Sequence, residues 1–220
     1  NYIIMMDKLK ETINIFRKLR SWLNIIFKNY KQPVPVYPKK NESGLKINLG
    51  AGEINLQGWI NIDGRKFAHT HLQSDGFDLH EFKSNSISEI YICHMIEHFS
   101  FKDVENLIIK LKNKLKSRGV LRISEPDFDA LVKIYLNNGN DLLQVQRALM
   151  GGQDYEYNFH KSVFDKKTLS RLLVKYGFID VQEWSTKADF GQSLGDWSDG
   201  SFKTKIGRVP ISLNLKAIKK

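Results

Sequence analysis

Four side chains in this sequence have the types and spacing to do chemistry together. His94, Glu97 and His98 stand at positions i, i+3 and i+4 directly after an apolar run, and His160 follows in Tyr157-Asn158-Phe159-His160-Lys161. On a helical turn those three positions project from one face. An imidazole with a pKa of about 6.5 can take a proton from a group that ionises far above neutral, and a divalent ion held by the same donors lowers that group's pKa instead. Glu97, His98 and His160 are therefore candidate catalytic residues, and His94, Glu97, His98 and His160 candidate metal ligands. The plainer alternative is that Glu97 and His98 brace a helix while His160 is a satisfied core histidine.

A second constellation lies upstream. Leu45 to Glu53 reads as a strand ending in Gly50-Ala51-Gly52, where glycine lets the backbone turn sharply and a ligand approach closely. Asp63 closes the next strand eleven residues beyond Gly52, where a carboxylate can accept from both hydroxyls of a ribose. Asp78 is placed to meet an adenine, with Asp75 as the alternative, though either aspartate taken singly could cap a turn. The dinucleotide fingerprint wants a third glycine three places after Gly52, and Asn55 stands there, which disfavours a nicotinamide cofactor.

Alternating short apolar runs and amphipathic helices after Gly44 are the pattern of a parallel α/β sheet. Strands are expected at Lys46–Leu49, Trp59–Asp63, Phe77–Leu79, Glu89–Cys93, Val120–Ser124, Phe178–Trp184 and Ile211–Ile218. A helix is expected over Ser100–Lys116, with Ser100 and Asp103 spaced as a capping box and Gly119 just past its end. Further helices are expected at Asp127–Asn137, Asp141–Met150 and Asp165–Tyr176. The Gly- and Ser-rich stretch from Asp189 to Arg208 reads as a loop over the pocket, with Trp197 to stack on a substrate ring and Asp196 and Asp199 to hydrogen-bond it. Ahead of all this, Leu9, Ile13, Phe16, Leu19, Leu23, Ile26, Phe27 and Tyr30 mark one face of a basic helix, and a proline-rich linker follows from Gln32 to Pro38. Residues 1–40 thus form an appendage to a domain at 41–220. The helix over residues 6–30 has three readings: packing or homodimerisation, a protein partner, or a membrane surface.

The net charge of the 220 residues is +10, but residues 1–40 hold nine Lys or Arg against two acids, so the rest of the chain carries +3. A body of that charge is a poor grip for nucleic acid. Cys93 is the lone cysteine, which excludes an internal disulfide and suits a reducing compartment. No apolar run has the length of a membrane span and no signal peptide is visible, so the expected location is the cytoplasm, with peripheral attachment to the inner membrane face left open. The chain opens on Asn1, so a fragment of a larger protein and a natural start at Met5 or Met6 both stay open.

The order of these segments resembles a known family. Leu49-Gly50-Ala51-Gly52, Gly58-Trp59-Ile60-Asn61-Ile62-Asp63, Asp78-Leu79, the run from Tyr91 to His98 and the run from Arg118 to Asp127 are similar to the small class I S-adenosylmethionine (SAM)-dependent methyltransferases associated with surface-polysaccharide and glycan biosynthesis. Gly151-Gly152-Gln153, Asn158-Phe159-His160 and Ile211 to Leu215 fit the same pattern, so the resemblance spans roughly residues 45 to 218. It implies a Rossmann-like α/β sandwich: a mostly parallel seven-stranded sheet with helices on both faces, here preceded by the amphipathic helix. It implies that Gly50, Ala51 and Gly52 contact the methionine part of SAM, Asp63 the ribose and Asp78 the adenine, and that Cys93 and His94 line the sulfonium side. The implied reaction is methylation of a sugar hydroxyl in a glycan or glycan precursor. The spacing from Gly52 to Asp63 is short for that family, so the first helix must be stunted or missing. Some ubiquinone-pathway O-methyltransferases and small-RNA ribose methyltransferases carry Glu-x-x-Glu-His and a later His here as a metal site; His94 replaces the first Glu, which favours a softer ion than magnesium. The competing readings are a ribose methyltransferase on RNA and a non-catalytic module that docks through its basic helix.

Overall fold

The structure is a computed structural model, and it describes residues 44–76, 79–205 and 207–220. The helix and linker expected over residues 1–40, and Asp78, lie outside the described residues. Residues 67–69 belong to a second compact unit, and the main unit takes in the rest of the described chain.

Within the main unit seven strands form one sheet: β1 (Leu45–Leu49), β2 (Ile60–Asp63), β3 (Leu72–Gln73), β4 (Ile87–Cys93), β5 (Leu115–Pro126), β6 (Phe178–Glu183) and β9 (Ser212–Lys219). Their order across the sheet is β3-β2-β1-β4-β5-β9-β6. All neighbours are parallel except that β9 runs antiparallel between β5 and β6, so the sheet is mixed rather than wholly parallel. A separate hairpin joins β7 (Ser201–Thr204) to β8 (Gly207–Pro210).

The alternation of side chains along the strands divides the sheet into two unlike faces. Ile47, Leu49, Ile60, Ile62, Ile90, Ile92, Leu121, Ile123, Leu213 and Leu215 share one buried cluster. Two helices cover it: α1 (Phe101–Lys114) with Val104, Leu107, Ile108 and Leu111, and α4 (Lys166–Lys175) with Leu169 and Leu173. Each such side chain contributes about 1.5–3 kcal/mol by leaving water. The intervening positions make a polar face. There Lys46 pairs with Glu89 at 3.1 Å, Arg122 bridges Glu89 and Asp189 at 2.6 Å each, and Lys216 meets Asp189 at 2.6 Å. The short helix α5 (Thr186–Phe190) supplies Asp189 and lays Phe190 into an aromatic group with Trp59, Tyr91 and Trp184. Helices therefore lie on both faces, and α2 (Phe128–Asn137) packs apart from them, its Leu131 and Ile134 in a separate cluster with Val145 and Ile211.

Three expectations about elements are corrected. Among the described residues the third strand is Leu72–Gln73, with Leu72 in register with Ile62; of the strand expected at Phe77–Leu79 only Leu79 is described, and it is buried outside any strand. The helix over Asp141–Met150 breaks into a 3-10 turn at Leu142–Gln144 and the short α3 (Gln146–Met150), since Leu142 and Leu143 face solvent and no apolar stripe is buried to hold a longer helix. Gly119 is not a helix cap. α1 ends at Lys114, the chain turns directly into β5, and Gly119 sits where a Cβ would lie 2.8 Å from the Lys116 carbonyl. The stunted first helix is borne out in full, because residues 51–59 contain turns and no helix.

Candidate active site

In this strand order β1 and β4 are neighbours whose onward connections leave in opposite directions, so the crevice for a ligand opens at their carboxyl ends. Both constellations lie there. Gly50 and Gly52 take φ of 71° and 53°, the left-handed region that favours glycine. A Cβ on Gly50 would stand 2.9 Å from Met95 Cγ, so the close packing of Met95 on the turn also demands glycine. Asp63 ends β2 beneath this turn: Oδ2 accepts from Gly52 N–H at 2.7 Å and Oδ1 from Arg65 N–H at 2.8 Å. A carboxylate has about four acceptor positions, so lone pairs remain for a ribose. Asn55 is tied into the strands, its Oδ1 accepting from Asn61 Nδ2 at 3.0 Å.

The second constellation is built around one buried carboxylate. Glu97 is 1% exposed, and among the described residues the hydrogen-bond partner of its carboxylate is the Glu125 carboxyl. Around its Oε1 stand His94 Nδ1 at 3.7 Å, His160 Nε2 at 3.7 Å and His98 Nε2 at 4.0 Å. Glu97, His98 and His160 offer ligand atoms that all lie within 4.8 Å of one another. The expectation of a helical face is corrected. His94 precedes the turn with a left-handed φ of 49°, and only Ile96–His98 coil, as a 3-10 turn. His160 arrives from another segment because Lys161 N–H and Ser162 N–H both donate to the Glu97 carbonyl, at 2.7 and 3.1 Å.

Two of the imidazoles have a hydrogen-bond partner on the side away from Glu97, the first being His98, whose Nδ1 lies 3.3 Å from the Phe159 carbonyl. His94 Nε2 lies 2.8 Å from Ser212 Oγ. A carbonyl only accepts, so His98 carries its proton on Nδ1, away from Glu97. Burial pushes the His94 and His160 pKa values down, against the attraction of Glu97. Burial pushes Glu97 up, but the adjacent Glu125 carboxyl and the three imidazoles outweigh it and hold Glu97 below the usual carboxylate range. Glu125, fully buried, is pushed well above that range by burial and by the Glu97 charge. Its oxygens accept from Ile96 N–H and Glu97 N–H at 3.3 Å each, which fixes the turn carrying Glu97. Pro126, Leu131, Ala148, Leu149, Val163 and Phe164 line an apolar recess that ends on Glu97, His160 and Ser162.

Cys93 packs beside the aromatic group of the polar face, and burial pushes its thiol pKa up. The stretch from Asp189 to Arg208 contains the hairpin and a 3-10 turn at Trp197–Asp199 rather than one open loop. Asp196 accepts from Tyr91 Oη and Ser198 N–H, and Asp199, which is exposed, accepts from the Thr186 hydroxyl. Trp197 remains 56% exposed, its ring 6.1 Å from that of His94. Glu125 and Ser212 were not singled out by sequence reasoning; their only signal was their place in runs flanking the strands.

No family model and no curated protein matches this chain. Solved structures do. A SAM-dependent methyltransferase from Archaeoglobus fulgidus is 14% identical, with all of each chain covered and a TM-score of 0.49. An S-adenosylmethionine-dependent methyltransferase from Mesorhizobium loti is 15% identical, over 83% of this chain and 94% of that one, with a TM-score of 0.45. Burkholderia thailandensis 1,6-didemethyltoxoflavin-N1-methyltransferase, solved with 1,6-didemethyltoxoflavin and S-adenosylhomocysteine, is 13% identical over 80% and 71%, with a TM-score of 0.47.

Proposed function

We propose that this chain is a SAM-dependent O-methyltransferase acting on a sugar hydroxyl of a glycan or glycan precursor, with Glu97, His98 and His160 holding a divalent metal ion at the acceptor. The observation that carries the cofactor is the turn at Gly50–Gly52: it lies at the switch point of the sheet, is backed by Asp63, and leads into no helix. A dinucleotide needs a helix N-terminus there for its pyrophosphate. Residues 51–59 supply none, so the turn suits a nucleoside cofactor without phosphates. SAM is such a compound, and its sulfonium methyl supplies the group transferred.

The acceptor side is read from Glu97. A buried carboxylate charge held by a single neighbouring carboxyl is costly, and a cation among it and the neighbouring ring nitrogens would reduce that cost. Two imidazoles and one carboxylate suit a transition metal better than magnesium, and such an ion lowers the pKa of a bound hydroxyl. The residues then divide the work. Asp63 and the glycine turn hold the cofactor, Glu97, His98 and His160 fix the acceptor oxygen's position, and the apolar recess by Leu131 and Leu149 excludes water.

Isothermal titration with S-adenosylhomocysteine and with NAD tests this reading. Binding of S-adenosylhomocysteine and not NAD is expected, with affinity unchanged in His98→Ala and His160→Ala. Binding of NAD alone, or of neither compound, overturns it.

A further inference from the structure

We propose that Tyr157 is a cofactor-binding residue: its ring walls the nucleoside end of the crevice beside Asp63, carried there by a strap of chain, residues 150–160, that crosses over the glycine turn. The inference rests on the SAM reading of that turn and adds a contact from outside the strands that end there.

The strap is closed by its own backbone. His160 N–H donates to the Met150 carbonyl at 3.1 Å, Gln153 N–H to the Asn158 carbonyl at 2.8 Å, and Asn158 N–H to the Tyr155 carbonyl at 2.9 Å. Its two legs lie so close that a Cβ on Gly151, where φ is 80°, would stand 2.4 Å from the Asn158 carbonyl oxygen. The base is pinned just past β4, because Lys161 N–H and Ser162 N–H both donate to the Glu97 carbonyl. The tip lies just past β2. There Tyr157 Cζ is 3.6 Å from the point where a Cβ on Gly64 would lie, and the Arg65 guanidinium stands 4.7 Å from the centroid of the Tyr155 ring. In the sheet β1 runs between β2 and β4. Two strand spacings amount to about 10 Å, a gap that three extended residues can span. The segment from Tyr157 to His160 therefore passes over the carboxyl end of β1, where Gly50 to Gly52 make their turn.

Arg65 ties the tip to the cofactor residues. Its N–H donates to Asp63 Oδ1 at 2.8 Å, its Nε lies 3.5 Å from the same oxygen, and its Nη2 is 3.8 Å from where a Cβ on Gly52 would lie. The glycine turn, the carboxylate suited to a ribose and the strap tip thus meet around one guanidinium. Glu156 holds the Tyr157 phenol above its usual pKa, and the charges of Asp75 and Asp63 add to this, so the phenol stands within the field of both. Tyr157 still keeps 46% of its surface exposed. Its ring has an open side for a nucleoside seated between Asp63 and the turn, and an aromatic face suits both a sugar and a base.

The test uses the whole chain with S-adenosylhomocysteine and with 5′-methylthioadenosine, which keeps the nucleoside and lacks the amino-acid end. Chains labelled with 13C in the tyrosine rings are examined for nuclear Overhauser contacts to the ribose and adenine protons, and Tyr157→Phe identifies the Tyr157 signal by its loss. Contacts from Tyr157 are expected in the parent. Tyr157→Ala should raise the dissociation constants of both compounds about tenfold by calorimetric titration, and Tyr157→Phe, which keeps the ring, should bind as the parent does. The melting temperature of Tyr157→Ala without ligand should match the parent, since the ring is half exposed. Parent chain that binds S-adenosylhomocysteine with no contact from Tyr157, or Tyr157→Ala with unchanged affinities, overturns the placement of Tyr157 and leaves the SAM reading standing. A loss for S-adenosylhomocysteine alone also overturns it, because the ring would then serve the amino-acid end. Binding of neither compound by the parent removes the SAM reading, and this inference with it.

Discussion

Glu97 and Glu125 show how two identical side chains in one buried place take opposite roles. Glu97 is surrounded by imidazole nitrogens, whereas Glu125 accepts from the two backbone amides of the Ile96–His98 turn. Substitutions should separate them. Glu97→Gln is expected to abolish Zn2+ binding and leave S-adenosylhomocysteine affinity unchanged; full retention of Zn2+ would exclude Glu97 as a ligand. Glu125→Gln keeps one of the two acceptors, since the amides use different oxygens, and should lower the melting temperature by less than Glu125→Ala does. Glu125→Ala strands both amides and should cost about 1–3 kcal/mol, a fall of several degrees by calorimetry. Equal melting temperatures for the two Glu125 variants would refute the turn-fixing role. At this scale the sequence showed the spacing of His94, Glu97 and His98, because donors near in sequence are legible together. It did not show Glu125 or Ser212, which reach the cluster through the pairing of β5 with β4 and β9. Nor did it show that Asp196 accepts from Tyr91 and Asp199 from Thr186.

Elements were legible where local chemistry sets them. Ser100 caps α1 by accepting from Asp103 N–H, and its hydroxyl returns a bond to the Asp103 carboxylate at 2.6 Å, the pairing the sequence spacing suggested. Ser100→Ala should cost about 1 kcal/mol, read as a fall of about 2–4 °C in melting temperature; no fall would mean that packing alone sets the helix start. The polar face of the sheet was not legible, since Lys46, Glu89, Arg122 and Lys216 look like ordinary exposed strand positions until the strand order aligns them. Asp189 from α5 completes that ladder. Burial would raise its pKa, but Lys216 and Arg122 outweigh this and hold it below the usual carboxylate range. A depressed folded-state pKa contributes stability that is present above the unfolded value of about 3.9 and is lost as pH falls through the folded one. Asp189→Asn should therefore destabilise the chain in urea unfolding at pH 7 and converge toward the parent as pH falls through the lowered folded-state pKa. A gap that stays constant over that range would show that Asp189 acts by packing rather than charge.

The whole molecule places two chemistries on one edge. The reversal of strand order between β1 and β4 brings the glycine turn and Asp63 to one side of the crevice, and the Glu97 cluster follows β4 on the other. Alternation after Gly44 made the parallel sheet legible, and the missing helix could be read from the short interval between Gly52 and Asp63. The antiparallel insertion of β9 carried no local signal, because a strand's alternation is the same in either direction. The missing helix sets the last prediction. A helix after the first strand would have given NAD its pyrophosphate site, while the turn and Asp63 alone serve only a nucleoside. S-adenosylhomocysteine at 100 times its dissociation constant stabilises a chain that binds it by about 2.7 kcal/mol, which for this size raises the melting temperature by about 5–10 °C. NAD should raise it by nothing measurable. Because the cofactor's contacts at Gly50, Gly52 and Asp63 are separate from the donors around Glu97, EDTA should leave the S-adenosylhomocysteine shift intact. A shift that vanishes in EDTA would mean that the two halves of the crevice assemble only together.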